Sequence, residues 1–527
     1  MIHRLKLTWR HLKILRVVLS LTCFSAISVM YLDIAHQLPV WFPSFWSSLQ
    51  LFPSLLKFFL LTGVSAAGLY AVLLFTALFG RVYCSSICPL GTYQDVVIRL
   101  SRKLKQKRWF SFRTPMFSTH YGILALLLVT VISGSVLLLN FLEPFSLFGR
   151  IVHSLVRPVI VLLNNLFAWL LTGIDIFILF PVQFYDAVLP VIAVIVVCTA
   201  ALTILSFYQG RLFCNLLCPA GAVLGIVSRW SVFTMVINEE TCTHCKLCEK
   251  VCKAQCIDST NQTIDFAACV GCFNCMDACH TDGVVYRLRW KKKGAPVLQP
   301  LYASRRRLLK STIAAAASVI VPQSLSSSDT LRTVSGFDES RKHPITPPGS
   351  KGTEHFSSQC TACQLCVTSC PTGVLQPAFL DYGIAGILQP KMNYDVSFCN
   401  YDCTICTQIC PSGAILPLAG DEKKLVQMGK AVFYKEDCIV ITKKKDCGAC
   451  SEHCPTKAVN MVPYEGGIFL PEVNEKICTG CGGCERACPT VPRKAIYVEA
   501  NHIHLVAEKP KIQKPNIPQK AIEEFPF

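Results

Sequence analysis

Charge is what this sequence has least of. Only 16% of its 527 residues are Asp, Glu, Lys or Arg, against 52% hydrophobic ones and a mean hydropathy of +0.43, whereas an ordinary soluble domain carries about 25% charge. A purely soluble protein is excluded. Acidic residues are the scarcer sign, 33 against 51 basic ones, which leaves a formal net charge of +18. A P-loop, a dinucleotide-binding glycine fingerprint and a nucleophile motif are all missing, so no second catalytic chemistry is signalled. No C-x-x-C-H haem-attachment sequence occurs and no apolar run carries a convincing pair of axial histidines, so no haem is expected.

Cysteine is in excess. Of 31 cysteines, six lie in positions 1 to 235 and the other 25 in 236 to 300 and 351 to 500. They recur as tight quartets, the arrangement metal centres need, rather than at the irregular spacings of a disulfide scaffold. A surplus of 18 positive charges would ordinarily suggest nucleic acid or anionic lipid as partner. A four-iron cluster on four thiolates carries about −2, so six of them offset roughly 12 of those charges, and no nucleic-acid partner is expected.

Apolar runs close to the ~20 residues that cross a bilayer occur at Ile14 to Tyr31, Phe58 to Phe79, Tyr121 to Phe141 and Val188 to Phe207. These predict four spanning helices. Val159 to Phe180 contains Asn164, Asn165, Trp169 and Asp175 and reads as a periplasmic-side or re-entrant segment. Arg4, Lys6, Arg10, Lys13 and Arg16 precede the first run, and no Lys or Arg lies between Tyr31 and Leu56, so the amino terminus is expected on the cytoplasmic side of a multi-pass inner-membrane protein.

The segment Gly80-Arg81-Val82-Tyr83-Cys84-Ser85-Ser86-Ile87-Cys88-Pro89-Leu90-Gly91 recurs 130 positions later as Gly210-Arg211-Leu212-Phe213-Cys214-Asn215-Leu216-Leu217-Cys218-Pro219-Ala220-Gly221. Two C-x3-C-P loops after two spanning helices predict a pseudo-repeated bundle that presents Cys84, Cys88, Cys214 and Cys218 on one face. They read as a redox pair or shared metal centre, against the alternative of a proline turn with packing cysteines.

Two copies of C-x2-C-x2-C-x3-C follow. Compact turns of this kind give three thiolates to one cubane and the fourth to its neighbour, which predicts Cys242, Cys245, Cys248 and Cys279 for one cluster and Cys269, Cys272, Cys275 and Cys252 for the other. Lys253 and His280 stand where proline usually follows, and tetrahedral zinc is the competing reading. Four further quartets are Cys360, Cys363, Cys366, Cys370; Cys399, Cys403, Cys406, Cys410; Cys438, Cys447, Cys450, Cys454; and Cys478, Cys481, Cys484, Cys488. Neighbouring and alternate sharing of their fourth ligands both remain open. Cys23, Cys198 and Cys256 are left over and read as structural, with Cys256 close enough to Cys252 in sequence to be an alternative ligand. Between the quartet regions, Ser304-Arg305-Arg306-Arg307 and the apolar stretch Thr312 to Pro322 look like an internal twin-arginine export signal retained as an anchor, centred on Arg305 and Arg306.

These motifs carry a resemblance. Positions 1 to about 290 resemble NapH, the membrane ferredoxin-type protein of periplasmic nitrate reductase systems. Positions 300 to 500 resemble NapG in the SRRR leader, Pro347-Pro348-Gly349, the quartet opening Phe356-Ser-Ser-Gln-Cys360, and the widened quartets at 399 and 438. The expected fold is a membrane α-helical bundle followed by α+β ferredoxin-like modules. Its parts are a transmembrane domain (1–235), a two-cluster domain (236–290), a linker with the signal (291–350), a four-cluster domain (351–500) and a tail (501–527). The resemblance implies a quinol dehydrogenase with about six [4Fe-4S] clusters. It would take electrons from the membrane quinol pool and pass them to a periplasmic terminal reductase or its cytochrome or iron–sulfur subunit. The first ferredoxin domain would then be cytoplasmic and the four-cluster domain periplasmic. Asp33, His36, Glu143 and His153, near the outer boundary, are weak candidates for a quinol site whose residues the sequence does not identify. Competing functions are an assembly factor for a partner reductase and a relay from a cytoplasmic donor. One difficulty stands: ferredoxin modules on opposite sides of a ~30 Å apolar layer are too far apart for one direct electron hop.

Overall fold

The computed structural model describes residues 2–60, 67–104, 110–114, 116–183, 188–289 and 343–509. The internal export signal at Arg305 and Arg306, with most of the linker, lies outside the described residues. The first half is helical: α1 (Ile2–Leu32), α2 (Trp41–Ser48), α3 (Leu51–Leu60), α4 (Ala67–Phe79), α5 (Tyr83–Ser86), α6 (Pro89–Leu104), α7 (Phe117–Ile132), α8 (Leu137–Leu142) and α9 (Pro144–Ile151). A π-helical turn, Val152–Val156, joins α9 to α10 (Arg157–Thr172); α11 (Leu189–Gln209), α12 (Leu212–Leu216) and α13 (Pro219–Ser228) complete the bundle.

Among the described residues three helical stretches are long and apolar enough to cross a membrane: His11–Leu32, Pro144–Thr172 and Leu189–Gln209. Leu15, Leu162, Phe167, Trp169 and Val197 are exposed on them, an apolar exterior that water would not tolerate over such an area. The first and fourth runs read from sequence fall inside α1 and α11. The third is divided, because the Ser133–Gly134 turn, with Gly134 at φ +85°, stops α7 before α8 begins. The segment read as beginning at Val159 is part of a longer helical stretch that starts at Pro144, where Glu143 caps α9 by accepting from the Phe145 and Ser146 N–H groups.

Both C-x3-C-P loops fold alike, for a local reason. Proline is welcome at the first turn of a helix and disfavours helix in the residue before it. So α5 and α12 end two residues before Cys88 and Cys218, and α6 and α13 start on Pro89 and Pro219. All four thiols are buried in one apolar cluster with Tyr83, Leu90 and Leu224.

The first cysteine-rich module pairs β1 (Phe233–Ile237) with a later strand, closes a two-residue ladder between β2 (Ile257–Asp258) and β3 (Thr263–Ile264), and returns along β4 (Val284–Leu288) antiparallel to β1. The second contains β5 (Leu375–Pro377) with β6 (Pro390–Met392), β7 (Val426–Phe433), β8 (Val459–Pro463) with β9 (Phe469–Val473), and β10 (Ile496–Val506) against β7. Such small sheets bury little apolar core, so much of each module's stability must come from what the cysteines bind.

The two modules sit at opposite ends of the bundle. Lys13 of α1 pairs with Asp277 of the first module at 2.6 Å, while Tyr31, 18 residues and about 27 Å further along the same helix, packs beside Cys363 of the second. On α11, Val191 and Ile195 pack against Ala362 and Leu388, whereas the carbonyl of Gln209 accepts from the Gln255 side chain. The described chain leaves the first module at Arg289 and resumes at His343 in the second.

Candidate metal centres and the path between them

The cysteine turns share one backbone. In each regular quartet the residues on either side of the second cysteine take positive φ: His244 and Lys246, Gly271 and Phe273, Ala362 and Gln364, Gly480 and Gly482. Non-glycine residues pay for that conformation, which curls successive N–H groups inward around a negative centre. At Gly482 no alternative exists, since a Cβ would overlap the Tyr394 ring. The widened quartets at 399 and 438 lack this alternation.

The turns gather the thiols in sets. Cys242, Cys245 and Cys248 lie with Cys279, and Cys269, Cys272 and Cys275 with Cys252. In the second module the fourth cysteine is exchanged between neighbouring quartets: Cys360, Cys363 and Cys366 lie with Cys410; Cys399, Cys403 and Cys406 with Cys370; Cys478, Cys481 and Cys484 with Cys454; Cys438, Cys447 and Cys450 with Cys488. Voids open among Cys242, Cys245, Cys248 and Cys279, and among Cys438, Cys447, Cys450 and Cys488.

These sets fit a cluster better than an ion. Among the described residues no three His, Cys, Asp or Glu side chains converge closely enough to hold a single metal ion, which weighs against zinc. Burial and the neighbouring thiols push Cys366, Cys406 and Cys484 well above the ordinary thiol range. Four such groups ionise together only around a cationic core that fills the void. Cys256 is buried against the set of Cys252, Cys269, Cys272 and Cys275, with its Sγ 3.6 Å from that of Cys252 and beside Cys269 as well. Cys23 is buried and Cys198 half-buried among apolar helices.

A seventh set lies inside the bundle. Cys84, Cys88, Cys214 and Cys218 are within electrostatic reach of one another, and two fully buried arginines clasp them crosswise. Arg81 of the first loop donates to Cys214 O at 3.0 Å, Asn215 Oδ1 at 2.9 Å and Ala267 O at 2.8 Å, with its Nη2 3.9 Å from Cys84 Sγ. Arg211 of the second loop donates to Cys84 O at 2.6 Å, Gly91 O at 2.9 Å and Asp95 Oδ1 at 3.0 Å. Asp95 also holds Lys253 at 3.0 Å and Arg16 at 3.6 Å. These cations lie between the thiols of the loops and Cys272. Positive charge there favours an electron-rich centre on either side.

The sets succeed one another, each within electrostatic reach of the next except between the loop thiols and Cys363. Cys248 is near Cys275; Arg211 reaches both Cys272 and Cys214; Cys366 is near Cys406; Cys399 accompanies Cys481, whose carbonyl accepts its N–H at 2.9 Å; and Cys484 is near Cys450. Between the loop thiols and Cys363 lie Tyr83, which donates to Gln50 Oε1 at 3.0 Å, then Glu143 and Tyr31. Gly149 makes this approach possible: a side chain there would overlap the Tyr31 hydroxyl and the Cys363 carbonyl.

The four polar candidates from the outer boundary do not form one site. Asp33 accepts from the Gln37 and Leu38 N–H groups at 3.1 and 3.0 Å, His36 takes a left-handed backbone, Glu143 is a helix cap, and His153 Nδ1 lies 2.9 Å from Thr368 Oγ1 in the contact with the second module. Sequence reasoning passed over Arg81 and Arg211, although both belong to the duplicated motif. It also passed over Asp95, whose signal was hidden because its counterpart in the repeat is Gly225.

The fold and its cysteine sets define an iron–sulfur protein of the ferredoxin type. The family described as "4Fe-4S binding domain" matches residues 61–108 and 191–237, one C-x3-C-P loop in each, and families described as "4Fe-4S dicluster domain" match 265–374, 359–415 and 445–491. The methylamine utilization ferredoxin-type protein MauM of Paracoccus denitrificans is 30% identical over 168 residues, 30% of this chain and 71% of that protein. The chain belongs to this family of ferredoxin-type proteins. The ferredoxin-type protein NapF of Escherichia coli is 29% identical over 160 residues, 30% of this chain and 87% of that protein, and NapG of the same organism is 30% identical over 152 residues, 27% of this chain and 65% of that protein. No solved structure matches.

Proposed function

We propose that this chain is a quinol dehydrogenase of the inner membrane, joining a NapH-type and a NapG-type part. It withdraws electrons from the quinol pool and relays them to a periplasmic reductase or its cytochrome or iron–sulfur subunit. The observation that carries the reading is the succession of seven thiol sets from one end of an apolar bundle to the other, with Tyr83, Glu143 and Tyr31 spanning the step between the loop thiols and Cys363. Clusters bound there would supply one-electron carriers; the protein's part is to space them, exclude water and set the charge around them.

In this reading α1, α3 with α4, α7 with α8, and α11 are four crossings. Supporting it, Lys13 of α1, the Phe79 carbonyl of α4 and Gln209 of α11 meet the first module, Tyr31 of α1, Asn140 of α8 and Val191 of α11 meet the second, and Glu143 and Val188 both lie on the second-module side. The basic residues Lys13 and Arg16 lie at the first-module end, which supports a cytoplasmic position for that end.

The test is reduction of the purified protein in detergent by menadiol, followed by visible bleaching and EPR. Bleaching of signals from both modules is expected, with about 28 irons per chain for seven four-iron centres. Clusters that dithionite reduces but menadiol leaves oxidised would overturn the dehydrogenase and favour the assembly-factor reading. A relay from a soluble donor has one observation in its favour, the exposed Cys245 at the outer end of the first module.

A further inference from the structure

The two halves of the repeat differ at one telling position. Asp95 of the first copy corresponds to Gly225 of the second. The Asp95 carboxylate occupies the space beside Arg211 and neutralises it, with an N–O separation of 2.9 Å. Beside Arg81 that carboxylate is missing. A Cβ on Gly225 would meet Arg81 Nη1 and the Tyr121 hydroxyl at 3.9 Å each and Ala267 O at 3.1 Å, so it would point into space that Asp95 fills in the other half.

The space is a cleft with about 40 Å³ of free room, walled by Arg81, His120, Tyr121, Asn215 and Asp265 on its polar side and by Phe117, Leu212 and Leu216 on its apolar side. Arg81 Nε and Asp265 Oδ2 are buried there without a hydrogen-bond partner, a costly condition that a ligand oxygen would relieve. Thiol sets flank it on two sides. His120 Nε2 lies 3.0 Å from Cys218 O and Arg81 reaches Cys214 O, both of the bundle set, while Cys256 on the opposite wall touches Cys252 of the first module.

We infer that this cleft receives the head group of the quinol, with one ring oxygen standing beside Arg81 where the repeat lacks its carboxylate. The inference rests on the quinol reading above and assigns it a place. A small inorganic anion would need only the polar wall; an aromatic ring bearing two oxygens uses both walls. Oxidation would break both quinol O–H bonds and yield the quinone: the two protons would leave to water beside the exposed Arg113 and Thr114, and the two electrons would pass one at a time to iron–sulfur centres held by Cys84, Cys88, Cys214 and Cys218 on one side and by Cys252, Cys269, Cys272 and Cys275 on the other.

Gly225→Asp would restore the missing carboxylate and fill the cleft. Its expected effect is a fall of about tenfold or more in the rate of menadiol-driven bleaching, with iron content and dithionite-reduced EPR signals unchanged. A photoreactive azidoquinone bound to the wild-type holoprotein supplies a second readout that needs no variant, and labelling is expected on peptides containing Met116 to Tyr121 or Leu212 to Gly225. Equal menadiol rates in wild type and Gly225→Asp, or labelling confined to the Glu143 region, would overturn the cleft while leaving quinol oxidation standing. Failure of menadiol to reduce the wild type would instead overturn the quinol reading itself.

Discussion

Replacing Asp95 by Asn is the sharpest probe of how the bundle is held against the first module. The carboxylate is 5% exposed and faces Arg211, Lys253 and Arg16, of which Arg211 is 0% exposed. Asparagine keeps the shape and removes the charge, so three buried cations lose their shared counterion at once. Breaking a buried pair in this way costs about 3–5 kcal/mol. Because Lys253 follows the ligand candidate Cys252 and Arg16 belongs to α1, the loss falls on the docking of the module. At about 1.4 kcal/mol per factor of ten, the undocked population should rise between a hundredfold and a few thousandfold. Native-state proteolysis of the detergent-solubilised protein reads that population when reclosing is faster than cleavage. Asp277→Asn is the control, since its partner Lys13 ties the same helix to the same module with both side chains about one-third exposed, and a pair of that kind contributes only about 0.2–1 kcal/mol. If Asp95→Asn is cleaved no more than about fivefold faster than wild type, as expected of Asp277→Asn, the buried charges are compensated by something else and the reasoning is refuted.

The remaining expectations concern the far side of the bundle and the loop thiols. Gly149→Val should push Tyr31 and Cys363 apart; if each thiol set holds one centre, menadiol would then bleach only those of the first module and the loops, about three of seven, and full bleaching at the wild-type rate would contradict this. Cys84→Ser combined with Cys214→Ser should lower the iron content by about four per chain if the bundle thiols hold a four-iron centre, and unchanged iron by colorimetric assay would argue for thiols that only pack. Burial lowers His504 to about 4, and its Nε2 lies 2.9 Å from Thr346 Oγ1. Its folded-state value lies below the usual ~6.5, so protonation favours unfolding: the stability it contributes is complete above about pH 6.5 and falls by up to about 3 kcal/mol as the pH drops toward 4. His504→Gln should flatten that part of the acid-stability profile of the second module, and an unaltered profile would show that His504 is not the titrating group.

The sequence was legible where a residue's neighbours in the chain are also its neighbours in space. C-x2-C-x2-C turns are local, so a ferredoxin-type protein with several four-iron four-sulfur domains, and apolar helices in its first half, could be read directly from spacing and hydropathy. Exchange of the fourth cysteine in the second module was not legible, because Cys370 reaches Cys399, Cys403 and Cys406 only through the packing of β5 on β6 and the turns around them. Nor was the helix from Pro144, because its cap, Glu143, looked like a polar residue at a membrane edge; the Phe145 and Ser146 N–H groups that it accepts show it starting a helix instead. Arg81 and Arg211 were printed in the repeat, but a basic residue beside a predicted membrane boundary ordinarily signals topology. Only the three-dimensional exchange, each arginine reaching the other loop's carbonyls, distinguishes a clasp from a flank.

The same exchange bears on the distance that made the sequence reading difficult. Tyr31 and Lys13 separate the two modules by about 27 Å along α1, and the sequence offered the C-x3-C-P loops as a stop between them without placing their thiols. The loop thiols supply one, buried in an apolar cluster that also contains Cys272 of the first module and Cys363, Leu365 and Ile409 of the second. The second module reaches inward, its Cys363 turn seated on Gly149 and Tyr31, and the first module reaches inward too, its Gly271 carbonyl accepting from Ser85 at 3.3 Å. A single long gap thereby becomes two shorter ones that meet at Cys84, Cys88, Cys214 and Cys218. Arg16, Arg211 and Lys253, gathered around Asp95, stand on the first-module side of that meeting point, while on the other side Tyr83, Glu143 and Tyr31 are joined by the buried Arg150, which faces both Glu143 and Cys363. Positive charge stabilises an added electron, so Arg81 and Arg211 would favour the reduced state of a centre at the loop thiols and Arg150 would do the same for one at Cys360 and Cys363, leaving buried positive charge on both sides of the meeting point.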